Sequence, residues 1–299
     1  MKSRLQTNKA FTLVELVVAV ALLAMILSFS SIIFKVGINS YRIAAANSEI
    51  MQKLRVITSQ LDADFKGLPP DGFLVLYSGI INRSEYSYTA PANFRSDRIC
   101  YFSTDDFSSW FSSAIRSNMA RIYFGHDAIS LTDPNRHVSK WVLARDIMLL
   151  TYRPPPLPLD CNNISYAQCK ADIPATLVDA NNLLFYSVST NMQVDPNNVR
   201  RLMCQNVGNI LIEWTDNTKS AAPPYSLVWW GFNNPVRPAN NFFADAINES
   251  MSPPYKAQWT PTTPRQYWPK ALKFTFTLYD SKNVLRTGQT FTHIVSLDN

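Results

Sequence analysis

The chain has 299 residues, enough for one or two domains with a substantial core. Its net charge of +6 falls to +3 once Lys2, Arg4 and Lys9 of the first ten residues are set aside, a balance too mild for a nucleic-acid-binding chain. Nineteen prolines against eight glycines, with 12% aromatic residues, speak against an all-helical domain and for a β-rich one with proline-stiffened loops.

The first element is apolar. Met1 to Ala10 is polar and basic with no acidic residue, and Phe11 to Phe34 follows with Glu15 as its one ionisable residue. That run exceeds the roughly 20 helical residues that cross a hydrocarbon core of about 30 Å. The basic leader predicts a cytoplasmic N-terminus and export of everything after the span. A cleaved secretory signal fits poorly, because the run is long and Ile33-Phe34-Lys35 offers no small-x-small cleavage site. A plain signal anchor accounts for everything except Glu15. A carboxylate inside an apolar span costs a few kcal/mol, so it needs a partner or a task. Cleavage between Ala10 and Phe11 would create an α-ammonium close by in sequence. The amino terminus of a neighbouring subunit in a packed bundle would then neutralise Glu15 and fix the axial stagger.

The stretch Lys9-Ala10-Phe11-Thr12-Leu13-Val14-Glu15-Leu16 resembles the signature of the type IV prepilins and pseudopilins. That signature is a short basic leader, a small residue, then Phe-Thr-Leu-x-Glu opening a helix. The resemblance implies that a prepilin peptidase cuts after Ala10 and methylates the amino group of Phe11. It also implies that Glu15 is the assembly residue. Ala10 stands where the family has Gly, adding a methyl group at the cleavage site.

From Lys35 to Lys66 there is no proline, and Ile50, Leu54, Ile57, Leu61, Phe65 and Leu68 recur at helical spacing. Gly67 and then Leu68-Pro69-Pro70 form a stop signal. One helix over 11–66 would be about 84 Å long at 1.5 Å per residue, with Gly37 at its junction. The expected organisation is a leader (1–10), a transmembrane helix (11–34), its amphipathic continuation (35–66) and an exported β-rich domain (67–299).

After Pro70 the pattern changes to short β-like runs. Expected strands are 73–81, 98–103, 121–125, 140–152, 183–189, 209–214, 227–232, 271–279 and 288–297. Leu272-Lys-Phe-Thr-Phe-Thr-Leu278 alternates as a half-exposed strand should. Loops rich in Pro, Asn and Ser are expected over 153–173, 191–201 and 233–269.

All four cysteines lie on the expected exported side, where disulfides persist. Three connectivities are possible. Cys161 and Cys169 close a short polar loop, which favours a local bridge and leaves Cys100 with Cys204. Without a Cys-x-x-Cys pair, and with only His126, His137 and His293, a metal site has no support and no cofactor is expected. No nucleophile, zinc-protease or phosphate-loop motif is present, so an enzyme is not expected. Asp105-Asp106 reads as a loop cap or a short helix start beside Phe107 and Trp110. The candidate recognition aromatics are Trp229, Trp230, Tyr255, Trp259, Tyr267 and Trp268, with burial of most of them as the plainer reading. Adjacent in a strand, Trp229 and Trp230 would point to opposite faces.

Three pieces in order, Gln60-Leu-Asp-Ala-Asp-Phe65, Trp141-Val-Leu-Ala-Arg145 and Trp268-Pro-Lys-Ala-Leu-Lys-Phe-Thr-Phe-Thr-Leu278, are similar to the J-type minor pseudopilins of type II secretion systems. Phe291-Thr-His-Ile-Val-Ser-Leu297 closes the same pattern. The resemblance implies an α+β fold, one long helix packed on a β-rich domain of two antiparallel sheets. It implies a minor pseudopilin near the tip of a periplasmic filament, single-pass in the inner membrane. Its partners would be other pseudopilins or pilins through the stem helix, prepilin peptidase, the inner-membrane assembly platform and an exported substrate. The alternatives are a minor pilin that primes a type IV pilus, and a membrane-anchored binding module using the aromatics.

Overall fold

A computed structural model of the chain describes residues 12–69, 72–83, 92–127, 137–151, 161–162, 202–220, 225–233, 255–261, 263–285 and 287–297. The first element, α1 (Leu13–Lys66), is a single unbroken helix of 54 residues that runs through Gly37. It ends as the stop signal requires, with the Gly67 and Leu68 amides donating to the Asp64 and Phe65 carbonyls before Pro69. The chain divides into two compact units, residues 1–48 and residues 49–299, and the division falls inside α1.

Among the described residues of the second unit, twelve strands follow the helix: β1 (Leu74–Ser78), β2 (Ile80–Arg83), β3 (Ala92–Arg95), β4 (Arg98–Ser108), β5 (Arg116–His126), β6 (Val142–Leu150), β7 (Cys161–Asn162), β8 (Leu202–Gln205), β9 (Val207–Thr215), β10 (Tyr255–Trp259), β11 (Ala271–Leu278) and β12 (Gln289–Ser296). The larger sheet runs β10-β1-β4-β5-β6-β7 with β8 also on β6, and only the short β6–β7 pair is parallel. The smaller sheet is β12-β11-β9, antiparallel throughout, and β2 and β3 form a separate pair. The fold is the expected α+β arrangement with two antiparallel sheets.

The core lies where helical and strand periodicities meet. Ile50, Ile57, Leu61 and Phe65 form one stripe of α1 and are buried against inward residues of both sheets, among them Leu76, Ile99 and Tyr101 of the larger and Ile212, Phe274 and Phe276 of the smaller. Phe65 stacks on Tyr101 at 4.2 Å and meets Phe274 at 5.8 Å. In β11 the alternation is strict: Leu272, Phe274, Phe276 and Leu278 are buried, while Lys273, Thr275 and Thr277 face outward.

Several segments depart from expectation: β3, β7 and β8 are strands where none was expected, and Asp105-Asp106 lies within β4 rather than in a loop cap or short helix start. Residues 227–232 make only isolated bridges, Lys219 with Leu227 and Trp214 with Trp230, instead of a strand. Tyr255–Trp259, expected inside a loop, is β10 and pairs along the whole of β1. Its Tyr255, Ala257 and Trp259 point to the core, so packing overrides the proline-rich surroundings. The strand expected at 183–189 lies outside the described residues.

Candidate functional site

The start of α1 carries the motif's carboxylate. Thr12 sits just before the helix and Glu15 in its first turn. The Thr12 hydroxyl accepts from the Glu15 amide at 3.3 Å. In return, a Glu15 carboxylate oxygen accepts from the Thr12 amide and the Thr12 hydroxyl, both at 2.9 Å. This reciprocal pair is a capping box: it satisfies two amides that a helix start leaves unpaired, and puts a negative charge at the positive end of the helix dipole. Glu15 thus has a partner in its own chain. The Thr-x-x-Glu spacing carries that signal, but the sequence reading looked only for a partner outside the chain. Ala10 and Phe11 lie outside the described residues.

Beyond Glu15 the helix surface is apolar and uncovered. Its large side chains from Leu13 to Ile43 are exposed, with Leu13 at 79% and Phe34 at 71%. The Ser28 hydroxyl is satisfied within the helix by the Ala24 carbonyl. Among the described residues α1 is the one helix long and apolar enough to cross a membrane. A surface of this kind needs lipid or other helices around it.

The helix segment in the second unit is stitched to both sheets by polar contacts at its edges. Asp64 is buried, and Arg145 of β6 grips it with two nitrogens, one on each carboxylate oxygen, at 2.6 and 2.5 Å. Gln60 donates to the same carboxylate at 2.8 Å, and the Tyr101 hydroxyl donates to it at 3.3 Å. Burial and the Asp64 charge together hold the Tyr101 phenol well above its usual range. At the helix end, the Ser103 hydroxyl donates to the Asp64 carbonyl, and the amide and hydroxyl of Thr104 donate to the Gly67 carbonyl. These contacts occupy carbonyls that a helix terminus leaves open. Toward the smaller sheet, Asp62 pairs with His293 at 2.8 Å, and Lys53 donates to Asn206 and to the Tyr279 carbonyl. Glu49 accepts from the amide and hydroxyl of Ser281.

A second buried polar centre joins β3, β5 and β9. Asp97 is fully buried, takes two bonds from Arg95, and accepts from the Ile212 amide at 2.8 Å. Burial outweighs the pull of Arg95 and pushes its carboxyl up to about 6. The His126 ring meets the Ser96 hydroxyl through Nδ1 at 2.8 Å and donates from Nε2 to the Val207 carbonyl at 3.0 Å. Burial brings its pKa down to about 4. His137 caps a 3-10 turn, and His293 lies against Asp62, so the three histidines serve three separate places. Among the described residues no group of three or more His, Cys, Asp or Glu converges on a metal-sized site.

Most of the candidate recognition aromatics are core residues. Trp230, Tyr255, Trp259 and Trp268 are buried, and only Trp229 and Tyr267 are half-exposed. The Trp214 indole donates to the Tyr255 hydroxyl at 2.7 Å and meets Trp259 edge-on at 4.9 Å. Trp259 and Trp268 donate to the carbonyls of Tyr267 and Thr263. Each polar tip is met inside the fold, which makes burial of these large rings favourable. Trp229 instead covers the Lys273 ammonium at 4.7 Å. Exposed aromatics of the domain that sequence reasoning did not single out include Tyr225, at 60%, and Trp110 and Phe111, at 57% and 40%, in the β4–β5 turn.

The long disulfide expected between Cys100 and Cys204 is not formed. Cys100 packs with Phe73, Val75 and Phe102, whereas Cys204 belongs to the main core on the other face of the sheet. A bridge would have to pass through the sheet. Burial pushes the Cys204 thiol up to about 11. Cys169 and the side chain of Cys161 lie outside the described residues.

Residues 5–31 match the family model described as the prokaryotic N-terminal methylation motif. No curated protein and no solved structure matches the chain. The matched segment contains Ala10, Phe11, Thr12 and Glu15.

Proposed function

We propose that the protein is a minor pseudopilin of the J type, a structural subunit near the tip of a type II secretion-like periplasmic filament. The observation that carries this reading is the position of Glu15. It lies within the matched motif and opens an uncovered apolar helix whose C-terminal segment is built into the core of a β-rich domain. That combination suits a subunit held in a membrane by its stem and displaying a folded domain, rather than an enzyme. The basic leader supports a cytoplasmic N-terminus with the domain on the other side of the inner membrane.

In this reading prepilin peptidase cuts between Ala10 and Phe11 and methylates the new amine. The stored subunit keeps Glu15 occupied by Thr12, which lowers the cost of a carboxylate at that depth. During assembly the amine of a neighbouring pilin or pseudopilin takes over. A charge-assisted bond in a water-poor bundle outcompetes two neutral donors. The stem also engages the inner-membrane assembly platform, and the displayed domain faces partner subunits and exported substrate. The binding-module alternative loses most of its surface, because four of its six aromatics are in the core.

The test is the amount of protein recovered in sheared filaments from cells carrying Glu15→Ala. Membrane levels are expected to match wild type while filament incorporation falls at least tenfold, on the order of one lost charge-assisted contact. Wild-type incorporation would remove the proposed role of Glu15.

A further inference from the structure

The β4–β5 hairpin extends beyond its neighbours. β1 pairs with β4 only as far as Tyr101, and β6 pairs with β5 only from Ala120 onward. Ladder pairs between β4 and β5 nevertheless continue to Ser108 and Arg116. The extension has its own supports. Phe107 and Ile115 pack on Ala120 and Leu149 at its base. The Ser109 amide donates to the Ile115 carbonyl, and the Ile115 amide to the Ser112 carbonyl. The buried Ser109 hydroxyl accepts from the Phe111 amide at 3.1 Å. The turn is therefore preorganised, and it presents Trp110 and Phe111 side by side with 57% and 40% of their surface exposed.

Its charge opposes that of the whole chain. Asp105 and Asp106, at a bulge between Thr104 and Phe107, are exposed; among the described residues Arg116 pairs with Asp106 at 3.3 Å, in a contact that is itself exposed. An acidic knob stands on a chain of net charge +6.

We infer that this turn is a protein-docking knob: Trp110 and Phe111 enter an apolar slot on a partner protein whose rim presents Lys or Arg to Asp105 and Asp106. A turn at the end of a projecting hairpin is convex, so it enters a pocket rather than forming one, which argues against a saccharide or other small ligand. Exposed carboxylates beside the aromatics oppose insertion into an anionic lipid surface. A rigid aromatic pair has the character of an interface anchor, since its ordering is complete before binding. Each ring buries about 150–250 Å², short of the roughly 800 Å² per partner in stable interfaces, so the contact is an exchangeable one. The inference stands whether or not the protein enters a filament.

The experiment replaces Phe111 with the photo-crosslinking aromatic p-benzoyl-phenylalanine in the full chain, illuminates cells of the native host, and maps the adduct by mass spectrometry. The expected result is one predominant protein adduct, attached in an apolar segment next to Lys or Arg. Trp110→Ser and the paired charge reversal Asp105→Lys, Asp106→Lys should each lower its yield about tenfold or more, while Trp110→Tyr keeps most of it. Resistance of each variant to limited proteolysis confirms that the domain is folded. Adducts on lipid or glycan, protein adducts indifferent to these substitutions, or no adduct would each overturn the inference.

Discussion

Arg145 of β6 holds both carboxylate oxygens of Asp64, in the last turn of α1, at 2.5 and 2.6 Å. The pair is almost fully withdrawn from solvent, with side-chain exposures of 15% for Arg145 and 4% for Asp64. It fixes the end of the helix to the larger sheet at the point where the chain turns into the β-rich domain.

Removing one partner leaves a buried charge without its counter-ion. Arg145→Ala should therefore destabilise the domain by about 3–5 kcal/mol. The double variant Asp64→Leu, Arg145→Met should lose much less, since it removes the desolvation cost together with the attraction. Urea unfolding of the detergent-solubilised chain, followed by tryptophan fluorescence, measures both. Equal losses in the two variants would show that the charges do not act as a pair.

Asp97 and His126 make opposite contributions to the pH dependence of stability. Asp97 has its carboxyl raised from 3.8 to about 6 by burial, so the folded state binds the proton more tightly than the unfolded state. Its share of stability is highest below about pH 4 and falls as pH rises to 6. His126 is lowered from 6.5 to about 4 by burial, so the unfolded state binds its proton more tightly. Its share is lowest at acid pH and rises between pH 4 and 6.5. The two slopes oppose each other in one window. Relative to wild type, His126→Gln should make stability fall more with rising pH over that window, and Asp97→Asn should make it rise more. Thermal unfolding at pH 4, 5, 6 and 7 checks this, and parallel profiles for all three proteins would contradict it.

The capping box makes a local prediction. Thr12→Ala removes the hydroxyl that accepts from the Glu15 amide, and losing such a cap costs about 1 kcal/mol. Hydrogen exchange in micelles should show the first-turn amides of α1 exchanging roughly fivefold faster, with the amides from Ile57 to Phe65 unchanged. Protection equal to wild type in the first turn would mean that the cap does not form in the membrane mimic.

What could be read from the residues alone follows from where the physics is local. The extent of α1 was legible, because a proline-free run, a helical stripe from Ile50 to Phe65 and Gly67 before two prolines all lie close together in sequence. β11 was legible for the same reason, its alternation being complete within eight residues. β10 was not. Tyr255-Lys-Ala-Gln-Trp259 alternates too, but its pairing with β1 spans most of the chain, and nearby prolines masked the signal. The Cys100–Cys204 bridge failed because an argument from compartment and count cannot see which face of a sheet a thiol occupies. Trp230 is buried and Trp229 half-exposed although no strand forms there, whereas the exposure of Trp110 depends on how far two strands outrun their neighbours. The Asp64–Arg145 pair sat inside two stretches already singled out, yet only the register of β6 against β5 brings them together.

The most direct test of the proposed function is the mass of the N-terminal peptide of membrane-purified protein from cells containing the cognate peptidase. The account predicts a peptide that begins at Phe11 and carries one methyl group on its amine, despite Ala10 at the cut. A peptide that still carries Met1 to Ala10 would contradict it, leaving Glu15 no processed amine to meet and α1 a static anchor.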